Sequence, residues 1–267
     1  MKRPLIVVKI GTAVLSKGSR IDEGAVKSIA DQVSDLVEEN SFVLVSSGAI
    51  LGGITLLNLD KAPSELSLRE KQVCASIGQP YLMSLYGKYF SRRGVQTAQI
   101  LLTEDDLANK VSYRNVWRTL NALLKLGAVP IINENDAVSV KELLPLNPYV
   151  PDSVRFGDND RLSAIVASRL KASLLLILSD VDGYYEFGED GSKRLVEEIR
   201  EINRGMLRAV RGGGRLGKGG MRTKLEAAKI ASEAGIPTVI ANGKRPSVIK
   251  DVLAGKRVGT RILPKRR

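Results

Sequence analysis

Val7-Val8-Lys9-Ile10-Gly11-Thr12-Ala13-Val14-Leu15-Ser16 begins within an apolar run, Leu5–Ile10, that one lysine interrupts and a glycine ends. A short run bounded by a turn residue reads as a buried strand. Similar runs recur at Phe42–Ser46, Gln96–Leu101, Val129–Ile132, Leu174–Leu178 and Thr238–Ala241. Helical stretches are expected between most of them, over Gly24–Glu39, Glu70–Arg92, Tyr113–Leu126, Asp160–Leu170 and Arg222–Ala234. Strands alternating with helices predict an α/β fold whose mainly parallel sheet is covered on both faces. In such sheets the ligand crevice lies at the carboxyl ends of the strands. The least regular connector is Lys141–Phe156, with Pro145, Pro148 and Pro151. It reads as a lid, a hairpin or a disordered insertion.

The 267 residues are 43% hydrophobic and 26% charged, enough for a sizeable core in one large domain or two small ones. There is no run of ~18 apolar residues, so no transmembrane helix is expected. Met1–Thr12 has the charged pair and short apolar run of a signal peptide. Lys9 interrupts the run, however, and no small-residue cleavage site follows, which favours a first core strand. Cys74 is the single cysteine, so no internal disulfide forms, which fits a reducing cytoplasm. Lys and Arg total 41 against 29 Asp and Glu, a formal net charge of +12. Either a nucleic-acid partner or a basic surface with a site for anionic substrates would account for that excess. Dispersed basic residues, outside the tail Lys265-Arg266-Arg267, and only 4% aromatics favour the second. Histidine is absent, which removes every imidazole base and every zinc site built on histidine.

Lysine is rare in a buried strand unless its ammonium group has a partner. Lys9 is therefore either a side chain reaching into the crevice towards a phosphoryl group or a snorkelling edge residue. A second basic glycine segment, GGGRLGKGGMRTKLEAAKIA, spans Gly212 to Ala231. Gly212 to Lys218 nearly matches a Walker A loop, but Gly219 stands where Ser or Thr would hold magnesium, and no apolar strand precedes it. What remains is a glycine loop entering a helix, with Lys218, Arg222 and Lys224 near its N-terminus. Cations there oppose the helix dipole, so a bound anion would relieve a local cost. A solvated basic turn is the alternative.

Other connectors carry polar clusters. Val45-Ser46-Ser47-Gly48-Ala49-Ile50 follows a strand and precedes Gly52-Gly53, small residues that let a ligand approach the backbone. Without histidine its Ser-Gly pair cannot belong to a hydrolase triad. Asn133-Glu134-Asn135-Asp136 follows a buried strand and suits either a polar ligand, such as an amino group, or a capping turn. Gly157-Asp158-Asn159-Asp160 precedes a helix. Capping alone does not need both acids, which also suit an ammonium group, the positioning of lysines, or magnesium beside a phosphate site. Ser179-Asp180-Val181-Asp182-Gly183-Tyr184 is an acidic turn after a strand, common in nucleotide folds. It is not a calcium loop, because Leu178 falls at the first ligand position and a strand stands where the entering helix should be.

Together these motifs resemble the amino acid kinase family over essentially the whole chain. The resemblance rests on VVKIGTAVL, LVSSGAI, EKQVCASIGQPYLM, QILLT, VPIINENDAV, FGDNDRLSA, LILSDVDGYY and GKGGMRTKLEAA, in the family's order. INENDAV and GDNDxLSA together are far more specific than any glycine loop. The implied fold is a three-layer αβα sandwich with a mainly parallel central sheet. It implies a single domain over 1–267, with an acceptor-binding half of about 1–170 and an ATP-binding half of about 171–267. Lys9 and Lys224 match the lysines that stabilise the transferring phosphoryl group, and Asp160 the acid that orients them. Ser47, Asp136 and Asn159 match acceptor-binding positions, and Asp158 lies among them. Lys9, Gly11, Ser179, Asp180, Lys218, Gly219, Gly220, Met221, Arg222, Thr223 and Lys224 match the nucleotide site, and no residue matches a direct metal ligand.

Within the family, the motifs are most similar to members that phosphorylate the side-chain carboxylate of L-glutamate, the first step of proline synthesis. That implies L-glutamate and ATP as substrates, Mg²⁺ bridging the ATP phosphates, and a cytoplasmic homo-oligomer, dimer or tetramer. No membrane or nucleic-acid partner is expected. Many such members carry an additional C-terminal PUA domain, which this chain is expected to lack. The segment between Asp136 and Asp158 is longer than the family pattern. The alternatives are a member acting on acetylglutamate, aspartate, carbamate or UMP, and a non-catalytic nucleotide- or RNA-binding protein. The paired INENDAV and GDND motifs argue against the first. Retention of both lysines and all the acids argues against the second.

Overall fold

A computed structural model describes residues 3–138, 158–188, 191–210 and 220–265. The connector Lys141–Phe156 and residues Lys218 and Gly219 lie outside them. The first half runs β1 (Leu5–Ile10), β2 (Ser16–Lys17), β3 (Arg20–Ile21), α1 (Glu23–Ser34), β4 (Ser41–Ser46), α2 (Ala49–Leu56), α3 (Leu68–Ser91), β5 (Thr97–Leu102), α4 (Glu104–Ala108), α5 (Lys110–Lys125) and β6 (Val129–Glu134). The second runs α6 (Asn159–Leu170), β7 (Leu174–Ser179), β8 (Tyr185–Phe187), β9 (Lys193–Leu195), β10 (Glu198–Ile199), α7 (Arg204–Ala209), α8 (Met221–Glu233), β11 (Thr238–Asn242), α9 (Val248–Leu253) and β12 (Thr260–Ile262).

The main sheet has strand order β10-β12-β11-β7-β1-β4-β6-β5. Every pairing in it is parallel except β11 with β12. β1 is central, with β4 on one side and β7 on the other. Strands β4 to β6 thus lie on one side of β1 and β7 and β10 to β12 on the other, and such a change of side is where a ligand crevice is expected. Register brings the strand ends level: Ile10 pairs with Ser46 and Leu178, and Ser179 with Asn242.

Strand alternation sorts the core into two layers. Ile6, Val8 and Ile10 pack with Phe42, Leu44 and residues of α1, α3 and α9. Val7 packs on the opposite face with Val43, Val45 and residues of α6 and α8. Lys9 shares the Val7 face by the same period of two. That face carries α6 and α8, which bring Asp160 and Lys224. The three-layer αβα expectation is met.

The six apolar runs form strands within two residues of their expected bounds. Helix α1 is shorter than Gly24–Glu39. After Ser34 the backbone tightens into turns, with the Leu36 N–H donating to the Val33 carbonyl three residues back. Capping fixes the helix starts: Asp22 accepts from the Gly24 and Ala25 amides for α1, and Ser67 and Glu70 form a capping box for α3. Helices α2 and α3 cross at backbone contact. A Cβ on Gly53 would run into the Cys74 carbonyl, and one on Gly78 into that of Ala49. The glycines after the Ser47 motif thus serve helix packing, which composition alone did not separate from ligand approach.

Candidate active site

Lys9, at the penultimate position of β1, meets Asp160 in the first turn of α6, Nζ to Oδ1, at 2.6 Å. Lys224, in the first turn of α8, approaches the other oxygen, Oδ2, at 3.4 Å. Thr223 donates its hydroxyl to the same Oδ2 at 2.7 Å. Both lysines are 5% exposed and Asp160 is fully buried. Charges so buried persist only when paired. Charge is the larger part of the Lys9 link, ahead of hydrogen bonding. Burial pushes the Asp160 carboxyl up. The two ammonium groups and the Thr223 hydroxyl overcome it and hold the carboxyl below its ordinary value.

The two acids of the GDND motif divide their work. Asp158 caps α6, its Oδ1 accepting from the Arg161 amide at 3.1 Å. Asp160 is thereby left to the lysines. Burial, and then the charge of Asp160, push the Asp158 carboxyl above its ordinary value.

Asn159, between them, donates from Nδ2 to Ser47 Oγ at 3.0 Å and to Asn133 Oδ1 at 2.8 Å. This joins the Ser47 turn, the end of β6 and the start of α6. Ser47 follows β4 and extends its pairing with β1, its N–H donating to the Ile10 carbonyl. Gly48 follows with φ of 112°, a left-handed conformation that glycine accepts without strain. It begins α2 with no side-chain cap. Asp136 sits half-buried in the turn just beyond β6.

On the other side of β1, Ser179 ends β7 and donates to Asp180 Oδ1 at 3.2 Å. Gly11 donates its N–H to the Leu178 carbonyl, and a Cβ there would lie 3.6 Å from Lys9 Nζ. Gly220 begins α8 without a side-chain cap, and no acid occupies the first turn. Amides of an uncapped helix start, with Lys224 beside them, suit a phosphate. Met221 is half-buried there, and Arg222 pairs outward with Glu226 at 2.9 Å.

The sequence matches the amino acid kinase family over residues 4–242. The chain belongs to the amino acid kinase family. A family relative, the glutamate 5-kinase of Clostridium perfringens (strain 13 / Type A), is 39% identical over 266 residues, which are 98% of this chain and 96% of the relative. The glutamate 5-kinase of Trichlorobacter lovleyi is 42% identical over 264 residues, 97% of this chain and 67% of the relative. Two solved structures share the amino acid kinase fold. UMP kinase from Ureaplasma parvum has a TM-score of 0.60 at 20% identity, over 98% of this chain and 100% of its own. Carbamate kinase from Giardia lamblia bound to AMP-PNP has a TM-score of 0.63 at 16% identity, over 98% of each chain.

Read as an amino acid kinase, the site brings Lys9, Lys224, Thr223 and Asp160 into one cluster, and Ser47, Asn159 and Asn133 into an adjoining one. Lys218 and Gly219 fall outside the described residues. Sequence reasoning missed three contributors. Asn133 stood inside the NEND quartet without a role of its own. Gln79 was one letter of a long motif, and its signal was an amide beside a glycine in a helix. Asp182 accepts from Tyr185 Oη at 3.0 Å and from Asn242 Nδ2 at 3.1 Å, tying the β7 turn to the end of β11. No spacing rule links those residues.

Proposed function

We propose that this enzyme transfers the γ-phosphoryl group of ATP to the side-chain carboxylate of L-glutamate, giving L-glutamyl 5-phosphate and ADP. The observation that carries phosphoryl transfer is the meeting of Lys9 and Lys224 on opposite oxygens of the buried Asp160. Glutamate as acceptor rests on relatives of that name aligned along nearly the whole chain. On this reading the half of about 1–170 holds the acceptor, and the half of about 171–267, joined by Lys9 and Gly11 from the end of β1, holds ATP.

A glutamate carboxylate oxygen attacks the γ-phosphorus, and the bond from that phosphorus to the β-phosphate oxygen breaks. The acceptor is already ionised near neutral pH, with a reference pKa of ~4.3, so no base has to remove a proton. A chain without histidine suffices. Catalysis is then alignment and charge stabilisation. Lys9 and Lys224 offset charge on the transferring oxygens, while Asp160 fixes their spacing. Ser47, Asn159, Asp136 and Asp158 hold the amino-acid end of the acceptor. Gly11, Ser179, Asp180 and the segment Lys218–Lys224 hold the nucleotide.

Among the described residues no three acidic or cysteine side chains group as a metal cage. A Mg²⁺ ion arriving on the ATP phosphates would neutralise part of their charge. We also take the enzyme to be cytoplasmic, in keeping with its one free cysteine, and, as the family resemblance implies, a homo-oligomer. No described helix is long and apolar enough to cross a membrane.

The test is ADP release with L-glutamate, acetylglutamate, aspartate, carbamate and UMP offered separately. Release with glutamate alone is expected. Release with another acceptor in its place, or with none, would overturn the reading.

A further inference from the structure

Three side-chain amides form a directed relay behind the acceptor site. The Glu134 backbone N–H donates to Asn133 Oδ1 at 2.9 Å. A backbone N–H is a fixed donor, so it settles which end of the Asn133 side chain is oxygen. That oxygen also accepts from Asn159 Nδ2 at 2.8 Å. Asn133 Nδ2 must then point the other way, and it donates to Gln79 Oε1 at 2.9 Å. Asn159 Nδ2 uses both hydrogens, one on Asn133 and one on Ser47. Its oxygen is left facing away. Asn159 Oδ1 is buried and accepts no hydrogen bond among the described residues.

We infer that Gln79 is a positioning residue for the acceptor. By accepting from Asn133 it holds the Asn133 amide, and through it the Asn159 amide, so that Asn159 Oδ1 faces the ammonium group of the bound amino acid. This rests on the functional reading above. Gln79 is 7% exposed, and neighbouring Gly78 lies against the α2 backbone, so its place on α3 is rigid. Without the Gln79 oxygen, Asn133 Nδ2 is a buried donor with no partner. A side-chain rotation that rescues it breaks the bond to Asn159.

The test measures steady-state kinetics with glutamate and ATP varied in turn, and repeats them with glutarate, which lacks the amino group. Gln79→Met keeps the volume and removes the acceptor. It should raise the glutamate KM about tenfold, leave the ATP KM within about twofold, and shrink the preference for glutamate over glutarate. Gln79→Glu keeps an oxygen that accepts from Asn133 and should restore most of the glutamate KM. Should Gln79→Met not fold, Gln79→Asn retains polarity but falls short by one methylene, and the same loss is expected. An unchanged glutamate KM in the folded variant overturns the role of Gln79. So does an equal loss for glutamate and glutarate, or a Gln79→Glu enzyme as impaired as Gln79→Met. Absence of glutamate-dependent ADP release from the wild-type enzyme is a separate result, which overturns the functional reading and this inference with it.

Discussion

Lys9 Nζ and Asp160 Oδ1 stand 2.6 Å apart, with both side chains almost wholly removed from solvent. The contact ties the central strand to the first turn of α6. A buried ion pair is costly to assemble and costlier to break, because the surviving charge has no water to replace its partner. Such a pair at the mouth of a crevice is explained better by the charge it holds in place than by the stability it adds.

Asp160→Asn is expected to lower unfolding stability by about 3–5 kcal/mol, the usual cost of leaving buried charge unpaired. Glutamate-dependent turnover should fall with it, since neither lysine keeps its anchor. Urea denaturation and ADP release on the same preparation check both. A variant as stable and as active as the wild type would remove Asp160 from the centre of the site.

Lys9→Met and Lys224→Met each retain an apolar stem and remove the charge. Each should reduce kcat about 10²–10³-fold, the loss seen when a single charge-stabilising donor is removed. The double variant should lose less than the product of the two. Both groups act on one phosphoryl group and share one carboxylate, so their effects are coupled. Multiplicative losses, or near-normal turnover in either single variant, would sink the assignment.

The sheet was legible because its strands are buried on both faces and read as uninterrupted apolar runs, as in Leu174–Ser179. The short hairpins β2–β3 and β8–β9 were not, since two or three residues carry no period. Lys9 and Asp160 could be singled out separately, as a charge in an apolar strand and a second acid beside a cap. Their meeting could not, because it depends on α6 packing over the Val7 face. The Gln79–Asn133–Asn159 relay was hidden for a related reason. Amides have no obligatory partner, and only the fold decides whether one is buried.

Asp158 and Asp160 should give opposite pH signatures. Burial and the Asp160 charge raise the Asp158 carboxyl above its ordinary value of 3.8, so the native state holds that proton more tightly than the unfolded chain. Its contribution to stability is fully present below 3.8 and is lost as pH rises through the native value. Asparagine caps as well as aspartate and does not titrate. Asp158→Asn should therefore match the wild type in acid and become more stable than it above that window. Asp160, with its carboxyl lowered from 3.8, contributes stability above that value and loses it as pH falls through its native value. Urea midpoints from about pH 3 to about pH 8 measure the gap. A gap for Asp158→Asn that does not change with pH would show that the Asp158 carboxyl titrates alike in both states.

The crossing of α2 and α3 makes the last prediction. Gly53 and Gly78 let the two helices touch backbone to backbone, and an alanine at Gly53 would force its methyl into the Cys74 carbonyl. A backbone oxygen cannot swing aside as a side-chain end can, so the helices must separate. Overpacking of this kind costs about 1–3 kcal/mol, and the directness of this contact places Gly53→Ala at or above the upper end. The consequence reaches the site from both helices. α2 begins just after Ser47 and Gly48, and α3 carries Gln79 to Asn133 at 2.9 Å. Separation should therefore raise the glutamate KM of whatever fraction folds. Lys224 and the start of α8 lie on the opposite face of the sheet, so the ATP KM should change far less. Urea unfolding with both KM values measured on Gly53→Ala decides the matter. A stable variant with unaltered glutamate affinity would show that the crossing has room to relax and that the acceptor site does not depend on it.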